Sequence, residues 1–261
     1  MIRLLVTTIG SSSGCSTSLR DSAGVYIQCS KNILLDVGEA TNKYFLQRDP
    51  NEIDVVCITH AHVDHFLGLP MLLFHNLAIR GRTKQLKLIA PRTVMSFLEP
   101  FFKGYHITSN FDVIVDYYDP EHDKQWTIGD VIINAYEVQH SMDECYAYSV
   151  YDRTTDKMIF YTGDTEPCDN LILSSESDLV IAEGTWASDY TGPRYGHSWV
   201  KEMIETIDSA GVSKLVLTHL SQRYHSESGY RAYSTDVASA FADCKNLKRI
   251  YIAYDGLTIH I

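Results

Sequence analysis

Five histidines and two aspartates of this chain stand where short apolar runs end. His60-Ala61-His62-Val63-Asp64-His65 directly follows the β-branched run Val55 to Thr59. His140 follows Val131 to Val138, Asp164 follows Met158 to Tyr161, and His219 closes Leu215 to Thr218. Three histidines and an aspartate within six residues after a buried strand form a metal-binding pattern. Taken singly, His140 and His219 are weaker, because a lone histidine is usually a satisfied core group. Imidazole and carboxylate donors suit zinc, and also manganese or iron. Seven donors exceed the four ligands of one closed structural zinc. They suit two divalent ions ~3.5–4 Å apart that share a carboxylate and turn a bound water into a hydrolytic nucleophile near neutral pH.

Donors this far apart in sequence can meet only if rigid elements aim them at one place. The runs Leu4 to Ile9, Val25 to Cys29, Ile33 to Val37, Val55 to Thr59 and Leu86 to Ile89 read as strands. So do Val113 to Tyr118, Val131 to Val138, Tyr146 to Tyr151, Met158 to Tyr161, Leu179 to Ala182, Leu215 to Thr218 and Arg249 to Ala253. Helices are expected over Ala40 to Gln47, Leu69 to Ile79, Arg92 to Phe102 (opened by Pro91), Ser198 to Ser209 and Thr235 to Asp243. Between Ser198 and Ser209, Trp199, Met203, Ile204 and Ile207 make one apolar stripe, as a helix packed on a sheet requires. Gly129-Asp130 and Asp152 to Asp156 read as turns. No repeat or Pro/Gly-rich linker divides the chain. One α/β domain over residues 1–261, two mixed sheets with helices outside them, is the economical reading.

Bulk composition narrows the function classes. The 261 residues include 22 basic and 33 acidic side chains, a formal charge of −11 that argues against a large polyanionic partner. The six cysteines lie scattered without a C-x-x-C pair, as reduced thiols of a cytosolic protein do. Met1 to Val6 reads as the start of a strand rather than a signal peptide, and no apolar run approaches the ~18 residues of a membrane span. The expectation is a soluble, cytoplasmic protein.

The pattern H-x-H-x-D-H after a strand, a later His, a G-D-T Asp and a final His resembles the metallo-β-lactamase superfamily. The resemblance implies an αββα sandwich. It implies that His60, His62 and His140 hold one metal, that Asp64, His65 and His219 hold the other, and that Asp164 bridges them. A true β-lactamase usually has cysteine at the comparable bridging position. Thr218-His219-Leu220-Ser221-Gln222-Arg223-Tyr224 is similar to the T-H-F-S-Q-R-Y signature of the ribonuclease Z branch. Glu183-Gly184-Thr185, Gly196-His197-Ser198 and Leu35-Asp36-Val37-Gly38-Glu39 resemble further segments of that branch, so the likeness spans nearly the whole chain. It makes Asp64, Glu183 and His197 the catalytic residues. In this reading Glu183 keeps the His197 imidazole charged, ready to protonate a leaving alkoxide. The plainer readings are a solvated strand-end carboxylate for Glu183 and a residue preceding a Ser198 helix cap for His197.

The chain departs from that branch in one respect. The arm that grips tRNA is typically inserted between the second-block His and the bridging Asp, whereas His140 and Asp164 here leave room for one hairpin. An armless, acidic relative resembles instead the small cyclic-nucleotide phosphodiesterases of the superfamily, including the phage-type anti-Pycsar proteins. The resulting expectation is a dinuclear phosphodiesterase, with zinc the leading metal, that opens 3′,5′-cyclic mononucleotides and acts as a homodimer. The alternative is a tRNA 3′-processing endonuclease without the arm. A third class, a non-catalytic binding protein on the same fold, fits less well because the ligand set is complete. Candidate substrate contacts are Ser221, Arg223, Tyr105, His106 and Tyr195, the Tyr105-His106 segment including across a dimer interface. Arg223 is alternatively a surface ion pair, and most tyrosines are core or interface packing.

Overall fold

Short strands dominate this chain because runs rich in β-branched, aliphatic and aromatic residues recur between polar turns. The computed structural model describes residues 3–106 and 114–261. Val113 of the expected strand Val113 to Tyr118, and Met1 and Ile2, lie outside the described residues. One seven-stranded sheet holds β1 (Leu5–Gly10), β2 (Gly24–Gln28), β3 (Asn32–Leu35), β4 (Val55–Cys57), β5 (Leu86–Ile89), β6 (Val115–Tyr118) and β14 (Thr258–His260), in the order β14-β1-β2-β3-β4-β5-β6. The other holds β7 (Gln125–Ile128), β8 (Val131–Glu137), β9 (Tyr146–Asp152), β10 (Lys157–Tyr161), β11 (Leu179–Glu183), β12 (Lys214–Thr218) and β13 (Arg249–Ile252), in the order β13-β12-β11-β10-β9-β8-β7.

Each sheet is apolar on both faces, so each must be covered twice. The inner faces meet in one core, with Val6, Ile27, Ile33 and Cys57 from one sheet and Ile133, Val150, Ile159 and Ile181 from the other. The outer face of the first sheet packs Leu34, Val56 and Leu88 against α2 (Gly68–Phe74) and α3 (Arg92–Gly104). The outer face of the second packs Phe160, Val180 and Leu217 against α4 (Val200–Ser209) and α5 (Glu227–Ala242). The result is the expected αββα sandwich.

Strand direction decides where the polar ends go. β3 and β4 run parallel, with Leu35 opposite Cys57, so the chain leaves both at one edge. β10, β11 and β12 are also parallel neighbours, with Tyr161 opposite Ile181 and Glu183 opposite Thr218. Asp36, His60, Asp164, Glu183 and His219 therefore emerge beyond carboxyl ends of parallel strands, the usual place for a site in open α/β sheets.

Several elements differ from expectation. The helix expected over Leu69 to Ile79 is α2 followed by a wider π turn, His75–Ile79, and a separate single turn, α1 (Val63–Phe66), precedes it. Ala40 to Gln47 contracts to the 3₁₀ turn Thr41–Phe45. Helix α5 starts at Glu227 rather than Thr235: Ser226 caps it by accepting from the Gly229 N–H at 3.2 Å, and buried Tyr233 donates to the Gly184 carbonyl at 2.7 Å. Its first turn, Glu227-Ser228-Gly229-Tyr230, is a poor helix former, and tertiary contacts override that propensity. Strands β7 (Gln125-Trp126-Thr127-Ile128) and β14 (Thr258-Ile259-His260) mix polar with apolar residues and do not stand out in sequence as apolar runs.

Ile181 lies fully buried at the centre of the inter-sheet core. Ile181→Ala is expected to lower unfolding free energy by about 2–5 kcal/mol, read from urea denaturation; a loss under about 1 kcal/mol would contradict this packing.

Candidate metal centre

The loop after β4 brings four donors together because its backbone is pinned to the end of β3. Asp36 accepts from the Thr59 N–H at 2.8 Å, the Val37 N–H donates to the His65 carbonyl at 2.7 Å, and the Gly68 N–H donates to the Val37 carbonyl at 2.9 Å. The approach is so close that a Cβ on Gly38 would lie 2.2 Å from the Asp64 carbonyl oxygen. His62 then stands at the start of α1, with Asp64 and His65 in its single turn.

Two nests of donors result, sharing one oxygen. In the first, His62 Nδ1 lies 3.0 Å from both His60 Nε2 and His140 Nε2, and Asp164 Oδ2 lies 3.7 and 3.9 Å from those two nitrogens. In the second, His65 Nε2 and His219 Nε2 are 3.2 Å apart. They lie 3.1 and 3.3 Å from Asp164 Oδ2, and 3.6 and 3.2 Å from Asp64 Oδ2. A tetrahedral ion with bonds of ~2.0–2.1 Å places its donors ~3.3 Å apart, so both nests have the span one ion needs.

The protons point the same way. His140 Nδ1 lies 2.7 Å from the Gly196 carbonyl, which can only accept, so Nδ1 donates and Nε2 turns a lone pair inward. His65 Nδ1 donates to Asp36 Oδ2 at 2.8 Å. The Thr185 hydroxyl donates to Glu183 Oε2 at 2.6 Å and accepts from His219 Nδ1 at 3.0 Å. His65 and His219 thus direct two lone pairs at each other within a buried pocket, and a cation or a proton must lie between them. The carboxylates around the two rings favour positive charge there, as a proton or as a metal ion. Burial disfavours a charged His65, yet Asp164, Asp36 and Asp64 around it hold its pKa well above the usual imidazole value. Burial likewise opposes ionisation of Asp164, but His219 and His65 hold its carboxyl well below the usual range. The His/Asp groups are suited to a dinuclear metal site.

Glu183 stands behind the centre, buried rather than solvated. It accepts from the Thr165 N–H at 2.7 Å, the Ser198 N–H at 3.2 Å, the Thr185 hydroxyl and His197 Nδ1 at 3.1 Å. Burial pulls the His197 pKa down, but Glu183 and then Asp164 outweigh it and lift it to about 9. His62 and His197 are only partly buried, so the centre opens toward solvent on their side, while the His140 side chain is fully covered.

The structure brings together His60, His62, Asp64, His65, His140, Asp164 and His219, with Glu183 and His197 beside them. Ser221 is buried and accepts from the Arg223 N–H as the cap of a 3₁₀ turn. Arg223 is half exposed and lies 3.9 Å from Asp189, the looser surface ion pair of its two readings. Tyr195 is exposed, two residues from His197. Tyr105 packs on Phe101 and Phe74, and among the described residues no hydrogen bond or ring contact joins Tyr105 or His106 to the centre. Asp36, Thr59, Thr185 and Gly14 were missed as site residues. Gly14 donates its N–H to Asp64 Oδ2 at 2.7 Å, and Tyr161 adds a further donor to Asp36 at 2.8 Å. Asp36 and Thr185 lay inside recognised segments, but nothing in their spacing tells which ligand they orient.

A family model described as the beta-lactamase superfamily domain matches residues 27–220. The ribonuclease Z of Sulfurisphaera tokodaii is 27% identical over 239 aligned residues, 73% of this chain and 78% of that protein. The ribonuclease Z of Gemmatimonas aurantiaca is 26% identical over 311 aligned residues, 99% of this chain and 96% of that protein. This second alignment exceeds the 261 residues of the chain by 50, so the relative carries at least 50 residues without a counterpart here. Among solved structures, the metallo-beta-lactamase fold protein YhfI from Bacillus subtilis superposes with a TM-score of 0.80 at 23% identity, covering 99% of this chain and 100% of that one.

Because Asp36 sets the His65 tautomer, Asp36→Asn is expected to turn an amide donor or a weaker acceptor toward Nδ1 and lower affinity for the second ion by ~10–100-fold. Metal content after dialysis, by plasma mass spectrometry, should fall from two ions toward one. Two ions retained at wild-type affinity would show that Asp36 does not orient His65.

Proposed function

The chain belongs to the beta-lactamase superfamily, as a hydrolase of the phosphodiesterase type, and from that premise we propose that it hydrolyses 3′,5′-cyclic mononucleotides to nucleoside monophosphates with two zinc ions. His60, His62 and His140 would hold one ion, Asp64, His65 and His219 the other, with Asp164 within reach of both. When bound, the ions polarise the phosphate and activate the attacking water. The chain's own groups do the rest. Glu183 keeps a proton on His197 for the departing 3′ or 5′ oxygen, and Thr185 ties the same carboxylate to His219. Ser221, Arg223 and Tyr195 are the proposed contacts to the nucleotide.

The observation that carries the substrate class is the interval between His140 and Asp164. It holds residues 141–145, β9, the turn 153–156 and β10, and so offers no arm for a long RNA. A net charge of −11 supports the same reading, since gripping tRNA takes many phosphate-facing Lys or Arg. A small substrate also suits a single domain in the cytoplasm. Among the described residues no helix is long and apolar enough to cross a membrane, and the cysteines are free. Removal of a cyclic mononucleotide signal, as anti-Pycsar proteins achieve, is the role that goes with this substrate. Val63, Leu67 and Met71 form an exposed apolar stripe beside His62, which supports a homodimer through this face and leaves Tyr105 and His106 as contacts across it. The ribonuclease Z names of the relatives favour a second reading, tRNA 3′-trailer cleavage.

Metal-loaded protein offered 3′,5′-cyclic AMP, GMP, CMP and UMP in parallel with precursor tRNA is expected to open a cyclic nucleotide and spare the trailer. Trailer cleavage without cyclic-nucleotide turnover would replace the first reading by the second. Asp164→Ala should lose both ions and all activity, and an active variant would refute the shared-ligand assignment. His197→Ala should slow turnover by ~10²–10⁴-fold with two ions still bound; lost metal would make His197 a ligand instead.

A further inference from the structure

We propose that Arg194, clamped by Glu202, is a positioning residue that sets both His197 and His140; the inference rests on the roles assigned above to those two histidines. The loop between Trp186 and Trp199 contains no regular helix or strand, yet it delivers two groups to the centre. Gly196 presents its carbonyl to His140 Nδ1, and His197 follows directly. Tyr195 (φ 56°) and Gly196 (φ 81°) both occupy the left-handed region, which a tyrosine adopts only where its surroundings over-determine it. Glycine is required at 196, because a Cβ there would lie 2.6 Å from the Ser141 nitrogen and 2.7 Å from His140 Nδ1.

On the centre's side, Gly196 is fixed by His140. On the other side Tyr190 donates to the Pro193 carbonyl at 3.1 Å, and Arg194 ties the loop to a helix. Its fork donates twice to Glu202 on α4, at 2.9 and 2.8 Å, and its guanidinium lies over the Trp199 ring at 4.5 Å. Glu166, two residues past Asp164, approaches the same fork at 3.8 Å. The Arg194 carbonyl accepts from Trp186 Nε1 at 3.1 Å and from the His197 N–H at 3.2 Å. One residue thus ties the His197 backbone to a helix, while its second neighbour along the chain holds a histidine of the first nest. Bidentate geometry matters here, since a point charge would leave the loop free to swing about Glu202.

The Arg194 and Glu202 side chains are 36% and 40% exposed, and an ion pair so placed adds little to global stability. That separates a latch from a general fold contact. Arg194→Ala is expected to keep Tm near wild type, hold KM within about twofold and lower kcat about tenfold, because small misplacement of a reacting group is costly. In a chelator titration, one of its two zinc ions should be released at about tenfold lower chelator than in wild type. Arg194→Lys, which keeps the charge without the fork, should fall between the two in both measurements. Wild-type kcat and zinc retention in Arg194→Ala would overturn the proposal, as would a collapse of Tm or full recovery by lysine. If the wild-type protein turns over no phosphodiester, the functional reading fails, while the chelator titration still decides whether Arg194 holds His140.

Discussion

Asp164 Oδ2 is the point on which the structure depends. Five histidine nitrogens, from His60, His65, His140, His197 and His219, approach this one buried oxygen within 3.9 Å, and a second carboxylate, Asp64, stands beside it. Such a gathering is unfavourable in itself. Imidazole lone pairs face each other at hydrogen-bond distance, and ionised carboxylates sit out of water. Positive charge at the middle, such as two divalent ions would supply, offsets both, and a rigid frame keeps the donors together.

The frame is supplied by parallel strands and by hydrogen bonds one layer out. Neighbouring strands that run the same way deliver Asp36 with His60, and Asp164 with Glu183 and His219, to one edge. Two carboxylates then do the orienting. Asp36, at the end of β3 in the first sheet, gathers donors from Thr59 and His65 and, from β10 of the second sheet, Tyr161. Glu183 gathers Thr165, Thr185, His197 and Ser198 on the side of the second. Each serves two purposes, since the bonds that fix a ring also fix which nitrogen carries the proton. The electrostatics of the centre therefore follow from backbone topology as much as from the donor list. The loop carrying His197 is the exception, for it belongs to neither sheet and is anchored by side chains as well as by the backbone bonds that close its base.

Much of this was legible in the residues. The donors of the centre could be named because histidine and aspartate at strand ends are chemically conspicuous, and because their spacing matches a known pattern. The sheets could be drawn because β-branched runs between turns are a local signal. Elements held by tertiary contacts escaped. The start of α5 is stabilised by a Ser226 cap and by Tyr233 reaching Gly184, neither of which a weak helical sequence discloses. Asp36 escaped as a functional group for a related reason. A single aspartate after a strand resembles any turn residue until the chain folds and places His65 against it.

The sequence by itself determined the donor types, their number and their attachment to strand ends, since these depend on residue identity and local periodicity. It also determined the absence of an arm between His140 and Asp164, which is a matter of chain length. Tertiary structure decided how the donors divide into two nests around Asp164, which nitrogen of His65, His140 and His219 faces inward, and that Glu183 is buried. Those properties arise from partners up to 155 residues away, and no local signal encodes a contact whose two halves are joined only by the fold.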